Sequence, residues 1–322
     1  MERIGLGFLG EPSPREAARL ASLAERAGFE SVWVAETRFM RDAITMMSAI
    51  ACSTSEVRIA SAAINPFTRG AVLTAVTFAS LDELSGGRAI LGIGAGSEHV
   101  LTAQGYAFER PIRRLGEWVG AIRAVWHGRP FEGQFVCVDG VALDFDPHRP
   151  EIPIYLAVTG PRALALAGRI ADGVILDVFT SPEHTRSAVE QIRAAAVSAG
   201  RDPKDIEITG ALAIALDTEE MSGRDVLAPR VALYLTQFPT IAIEAGLTPY
   251  EISEYQAIAE RDGVAALAKR LPPAVLDSVT VTGTPEQCRA RIAEYRSAGL
   301  DVPILMPPTD QFERVITELA PR

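Results

Sequence analysis

The residues of this chain best suited to chemistry lie where apolar runs end. After Val57-Arg58-Ile59-Ala60-Ser61-Ala62-Ala63-Ile64 comes Asn65-Pro66-Phe67-Thr68-Arg69, and after Ala89-Ile90-Leu91-Gly92-Ile93-Gly94-Ala95-Gly96 comes Ser97-Glu98-His99. Pro66 disfavours a helical conformation at Asn65, and Thr68 is placed to cap the helix that follows. The second run ends in glycines, so backbone amides and polar side chains gather at the carboxyl end of a buried strand, which is where α/β proteins bind ligands. A third such place is Val158-Thr159-Gly160-Pro161. There a strand gives way to a helix whose free amides would hold an anion such as a phosphate on the positive helix end. Each feature has a plainer reading: glycines let a strand leave a crowded rim, and Gly160-Pro161 starts a helix.

Positions of this kind need a scaffold that repeats. Ile4 to Leu9 reads as a buried strand, Pro14 to Ala27 as a helix capped by Ser13, and Ser31 to Ala35 as a second strand after Gly28. The alternation continues through helices near 42–52, 69–84 and 112–127, with strands near 58 and 90 and further strands near 154, 174, 208 and 303. Two stretches break the rhythm. Residues 128–150 contain a short hairpin, and 238–277, rich in Pro and Gly, read as short helices. The strands close most simply as one (β/α)8 barrel domain over 1–322 carrying these two insertions, whose expected task is to wall the pocket. An open doubly wound sheet would require a glycine-rich first βα turn, and Gly10-Glu11-Pro12-Ser13-Pro14 does not supply one.

Composition narrows the function. At 322 residues, 48% hydrophobic and 22% charged, the chain fills one large core. Its net charge of −10, with scattered arginines, argues against nucleic acid. No apolar run approaches the roughly 20 residues needed to span a bilayer, and Met1-Glu2-Arg3-Ile4 has no signal-peptide pattern, so a cytoplasmic protein is expected. Cys52, Cys137 and Cys288 form no C-x-x-C pair and read as packing thiols. His99, His127, His148 and His184 lack metal-ligand spacing, so no metal is expected, and no nucleophile elbow is present.

The segments Asn65–Arg69, Leu81-Asp82-Glu83-Leu84-Ser85-Gly86-Gly87-Arg88, Leu91–Gly96, Thr159-Gly160-Pro161, Ala171-Asp172-Gly173 and Gly283-Thr284-Pro285-Glu286 together resemble the luciferase-like monooxygenase superfamily. Within it they are most similar to the coenzyme F420-dependent branch, which includes methylene-tetrahydromethanopterin reductases. The resemblance spans essentially the whole chain. It implies a bacterial luciferase-like barrel whose carboxyl rim holds a deazaflavin, or flavin mononucleotide (FMN) in the monooxygenase alternative. It implies a non-prolyl cis peptide at Ala62-Ala63, next to Ile64 and Asn65, bulging against the ring. Gly94, Ala95 and Gly96 would lie at the ring's edge, and Val158, Thr159, Gly160 and Pro161 at the phosphate.

Glu36, at the tip of the second strand, takes the place of an acid that faces the ring in relatives and would hydrogen-bond it or move a proton. Its other reading is a rim carboxylate paired with Arg38 or Arg41. Where the reductases have a first-strand glutamate this chain has Gly7, and their aspartate after the glycine turn is Ser97, with Glu98 adjacent as a substitute; Thr37 stands where many relatives have a histidine. His99 is either a proton donor or a rim hydrogen bonder. The implied activity is hydride transfer between the deazaflavin C5 and a small organic substrate, such as an imine or pterin, an activated alkene, a carbonyl or an alcohol. A non-catalytic flavin-binding barrel is the remaining alternative, and a homodimer is implied.

Overall fold

The computed structural model describes residues 2–36 and 39–321, apart from the side chains of Thr240 and Glu244. Its strands are β1 Gly5–Phe8, β2 Ser31–Val34, β3 Arg58–Ser61, β4 Ala89–Gly94, β5 Phe131–Glu132, β6 Cys137–Val138, β7 Ile154–Val158, β8 Gly173–Leu176, β9 Glu207–Leu216, β10 Val281–Gly283 and β11 Val302–Met306. The order β11-β1-β2-β3-β4-β7-β8-β9 is parallel throughout and closes because β9 pairs with both β8 and β11. This is the expected (β/α)8 barrel, built from the strands read near 4, 32, 58, 90, 154, 174, 208 and 303. One strand was not counted among them. The distal part of β9, Ile214–Leu216, runs beyond its pairing with β8 and β11 and takes β10 as a short parallel partner.

Local chemistry sets the helix boundaries. Ser13 accepts a hydrogen bond from the Glu16 amide at the start of Pro14–Arg26, as expected. Helix Ala71–Ser85 departs from expectation: its cap is Gly70, with no side-chain bond, and the Thr68 hydroxyl is buried without a partner. Asn65 closes that turn instead, its Oδ1 accepting from the amides of Phe67 (3.0 Å) and Thr68 (3.1 Å).

Apolar side chains fill three regions. The largest lies between the strands and the surrounding helices and includes Phe8, Phe78, Leu91, Trp118 and Leu156. A second, inside the barrel, joins Trp33, Ala60, Ile90, Tyr155, Ile175, Ile304 and Met306. A third belongs largely to helix Gly223–Gln237 and the helices after it, Pro239–Glu244, Pro249–Asp262, Val264–Ala268 and Pro273–Val279, around Val231, Leu235, Leu267 and Leu276. The first insertion forms the antiparallel β5–β6 hairpin and lies against helix Pro111–Trp126. There the Phe135 amide donates to Glu117, and the Arg114 guanidinium sits over both Phe67 and Phe135.

The cysteine expectation needs correction: Cys288 is buried, but Cys52 and Cys137 are exposed. Among the described residues no helix is long and apolar enough to cross a membrane.

Candidate functional site

The strand seam read from sequence is built around one hydroxyl and one glycine. Regular pairing of β3 with β4 ends at Ala60 and Ile90. Beyond it the buried Ser61 side chain donates to the Gly92 carbonyl (2.8 Å) and accepts from the Gly92 amide (3.0 Å). A Cβ on Gly92 would lie 1.7 Å from the Ser61 carbonyl oxygen, so only glycine allows this approach. The Ala62–Ala63 peptide is cis, as the resemblance implied. Pairing then resumes at a single bridge, where the Ile64 amide donates to Gly92 (3.1 Å) and the Gly94 amide to Ile64 (2.8 Å). Ala62 and Ala63 therefore stand out of the β3–β4 pairing as a bulge, while the Ala62 amide still donates to the Val34 carbonyl of β2 (2.7 Å).

That bulge is one wall of a cavity of about 1150 Å³ at the carboxyl ends of the strands. Ile64 and Asn65 line it, followed by Gly94, Ala95, Gly96, Ser97 and Glu98 from the end of β4. Gly96 has φ +80°, and a Cβ there would meet Leu101 Cδ1 at 2.6 Å, so the turn into helix Glu98–Thr102 needs glycine. Ser97 stands at that helix's cap without a side-chain capping bond, and Glu98 is exposed on the rim.

Glu36 also lines the cavity, but its partner is neither of the arginines considered from sequence. Arg69 clamps it, with Nε 3.1 Å from both carboxylate oxygens and a terminal nitrogen 2.6 Å from one, and the same guanidinium pairs with Asp42. Arg41 instead donates to the carbonyls of Gly10 and Glu11, and Arg38, like Thr37, lies outside the described residues. Burial pushes Asp42 up, but the Thr45 amide and hydroxyl and Arg69 outweigh it and hold the carboxylate below its ordinary range.

At the end of β7, Val158 and Thr159 line the cavity, and Gly160 and Pro161 open the helix that follows. The first turn of helix Pro161–Ile170 reaches the cavity through Ala163. Helix entry demands that arrangement: Gly160 has φ +75°, and Pro161 has no amide to offer.

Several wall residues carry no signal that was read from sequence. Asp177 follows β8 directly, as Glu36 follows β2 closely. Burial pushes its carboxyl up to about 6, while the Val178 amide, donating to Oδ1 at 2.8 Å, pulls the other way. An acid at the carboxyl end of the run Gly173–Leu176 was the available clue. Trp33, Ile304 and Met306 reach the cavity from the barrel interior. A Cβ on Gly7 would lie 2.9 Å from Met306 Cγ and 3.1 Å from Ile304 Cγ2, so methionine fills the room beside Gly7. Phe238, Pro239 and Ile241 come from the second insertion, while no residue of 128–150 reaches the wall. Only one of the two insertions therefore does what was expected of both.

Among the described residues no group of His, Cys, Asp or Glu is arranged to hold a metal ion. The fold and site define a (β/α)8 barrel with a large ligand cavity on its carboxyl rim. Residues 3–302 match the luciferase-like monooxygenase family, and the chain belongs to that family. A 5,10-methylenetetrahydromethanopterin reductase of Methanolobus tindarius is 31% identical over 92% of this chain and 91% of its own. Among solved structures, the coenzyme F420-dependent tetrahydromethanopterin reductase of Methanopyrus kandleri superposes with a TM-score of 0.89 at 23% identity, covering 99% of this chain and 98% of that one. An F420-dependent secondary alcohol dehydrogenase bound to an F420–acetone adduct superposes at 0.80 and 21% identity, covering 100% of this chain and 98% of that one.

Proposed function

We propose that this chain is a coenzyme F420-dependent oxidoreductase that moves a hydride between the deazaflavin C5 and a small organic substrate. The observation that carries the reading is a cavity whose wall is backbone, glycine and alanine methyls at Ala62, Ala63, Gly94, Ala95 and Gly96. Such a wall suits a flat ring, since no long side chain intrudes. The volume, about 1150 Å³, slightly exceeds the range typical of a single small-ligand site and leaves room for a substrate beside the ring. Thr159 and the first turn of Pro161–Ile170 supply a hydroxyl and free amides for a phosphate. The buried, unpartnered hydroxyl of Thr68, another lining residue, has a hydrogen bond still to make. These residues fit the cofactor that the names of the reductase and dehydrogenase relatives carry.

When bound, the cofactor supplies a two-electron hydride chemistry. The protein's own residues do the rest. Ala62, Ala63 and Ile64 would carry the ring, Gly94–Gly96 would admit its edge, and the Arg69 clamp would hold Glu36 ionised and oriented. Trp33, Ile304, Met306 and Phe238 exclude water from the chamber. With Met306 filling the room beside Gly7, that part of the chamber is apolar, which favours a small imine, alkene, carbonyl or alcohol over a large polar pterin. The reading includes a homodimer acting in the cytoplasm.

The test is a parallel titration of the purified protein with coenzyme F420 and with FMN, read by fluorescence and ring absorbance. Tight binding of F420 and weak binding of FMN is the expected result. The reverse preference would overturn it in favour of an oxygen-using monooxygenase, and binding of neither would remove the enzyme reading.

A further inference from the structure

The carboxyl group of Asp177 is not explained by the fold. It makes no contribution to the strand ladder and is placed where apolar residues would pack more cheaply. Val178, Tyr234, Phe238 and Ile241 line the same cavity, and Phe179 packs against Tyr234. The segment is held firmly. Phe179 is buried with φ +65°, a left-handed conformation unusual for a bulky residue, and its ring meets Tyr234 edge-on at 4.9 Å. Tyr295 donates to the Thr180 carbonyl (2.7 Å), and the Thr180 hydroxyl donates back to the Asp177 carbonyl (3.2 Å). A buried positive-φ aromatic residue held by a ring contact and by hydrogen bonds on the residues beside it marks a site whose backbone is determined by its surroundings. Here that backbone presents one carboxyl to the chamber.

We infer that Asp177 holds and delivers the proton of the reaction, donating to the substrate heteroatom while the neighbouring carbon accepts the hydride. The inference rests on the hydride-transfer reading above. In the reductive direction, the carbon of a C=O or C=N bond would take up a hydride, with the reduced cofactor as its source. The bond's electron pair moves to the heteroatom, which takes the proton from the Asp177 carboxylic acid. Alcohol or amine, oxidised cofactor and Asp177 carboxylate result, and solvent returns the proton to Asp177. The other ionisable groups of the cavity are paired or stand exposed at its rim. Glu36 and Asp42 are paired with Arg69, Arg41 holds two carbonyls, and Glu98 and His99 sit on the exposed rim helix. His184, on the helix after β8, is not part of the cavity wall and is kept neutral by burial, and Tyr234 packs between Phe179 and Phe238. An acid that changes charge near pH 6 suits proton transfer near neutrality better than an ordinary aspartate.

The experiment compares wild type with Asp177→Asn in two ways. Infrared titration of the cofactor-free protein is expected to show a protonated-carboxyl band that fades near pH 6 and is missing from the variant. Single-turnover reduction of cyclohexanone and 1-pyrroline by the protein loaded with chemically reduced F420 is expected to slow about 100-fold or more in the variant, with F420 binding unchanged within about twofold and the pH dependence near 6 abolished. A variant with wild-type rate and pH profile, or a wild type without the titrating band, overturns the role of Asp177 alone. Failure of the wild type to bind F420 overturns the cofactor reading and this inference with it.

Discussion

Asp177 and Glu36 occupy comparable places, each just past the end of a short barrel strand, yet their surroundings make them opposites. Glu36 is clamped by Arg69, whereas Asp177 has apolar neighbours and one amide. The difference has a consequence for stability. A carboxyl that ionises at about 6 when folded and at about 3.9 when unfolded favours the native state least once both forms are ionised. Its contribution is complete below about pH 4 and is lost as pH rises through 6. Asp177→Asn removes that loss, so the variant is expected to be more stable than wild type at pH 8, by up to about 3 kcal/mol, and nearly equal to it at pH 4. Denaturant melts at the two pH values check this. An equal difference at both would show that the substitution acts through packing. Glu36 was legible in the sequence because a family places an acid there; its partner was not, since the covalent distance from 36 to 69 says nothing about which arginine folds back over it. Asp177 lay at an equally visible strand end, but a single carboxylate beside a turn reads as a solvated residue until burial is known.

At the scale of elements, the barrel was readable because its strands are continuous apolar runs, as buried parallel strands must be. The missed strand, β10, is three residues long and follows a helix, so neither period nor length sets it apart. Local polar competition explains the misplaced cap. Asn65 and Thr68 are both good turn formers, and the Asn65 side chain reached the free amides first. The Leu81–Arg88 segment, which helped to carry the family resemblance, is structural. Buried Asp82 pairs with Arg149 and accepts from the Ala89 amide, and Arg88 donates to the carbonyls of Ala51, Thr54, Val57 and Ser85, all at the opposite end of β4 from the cavity. Between β3 and β4 the seam gives a sharp contrast. Gly92→Ala drives a methyl into the Ser61 carbonyl and is expected to cost about 3 kcal/mol or more, whereas Gly94→Ala meets nothing nearer than Ala157 Cβ at 3.4 Å and is expected to fold as wild type. Urea unfolding of the two variants decides it; equal losses would mean that the strands separate easily at this seam.

Across the whole molecule, the two ends of the barrel divide stability from function, as this architecture generally does. The carboxyl end is the apolar chamber. The amino end is an ionic network: Arg58, first in β3, joins Glu30 and Glu207, Arg3 joins the same two carboxylates, and Tyr155 donates to Glu207 at 2.5 Å. Burial pushes Glu207 up, yet the charge of Arg58 and the hydrogen bonds of Tyr155, Arg3 and Arg58 outweigh it and hold the carboxylate below its ordinary range. A carboxyl lowered on folding contributes stability above its unfolded value and loses it as pH falls through its folded one. Glu207→Gln leaves the half-buried Arg58 with Glu30 as its one remaining carboxylate, so it is expected to destabilise by about 3 kcal/mol at pH 7 and by less as the pH falls below about 4.3, the ordinary glutamate value at which the unfolded chain takes up the proton. Because the network and the cavity lie at opposite ends of the strands, the same variant is expected to bind coenzyme F420 as wild type does at temperatures where both are folded. Thermal melts at pH 7 and pH 3.5 alongside F420 titration at 20 °C separate the outcomes. A loss of affinity matching the loss of stability would show that the chamber depends on the ionic end, and that the barrel's division of labour does not hold in this chain.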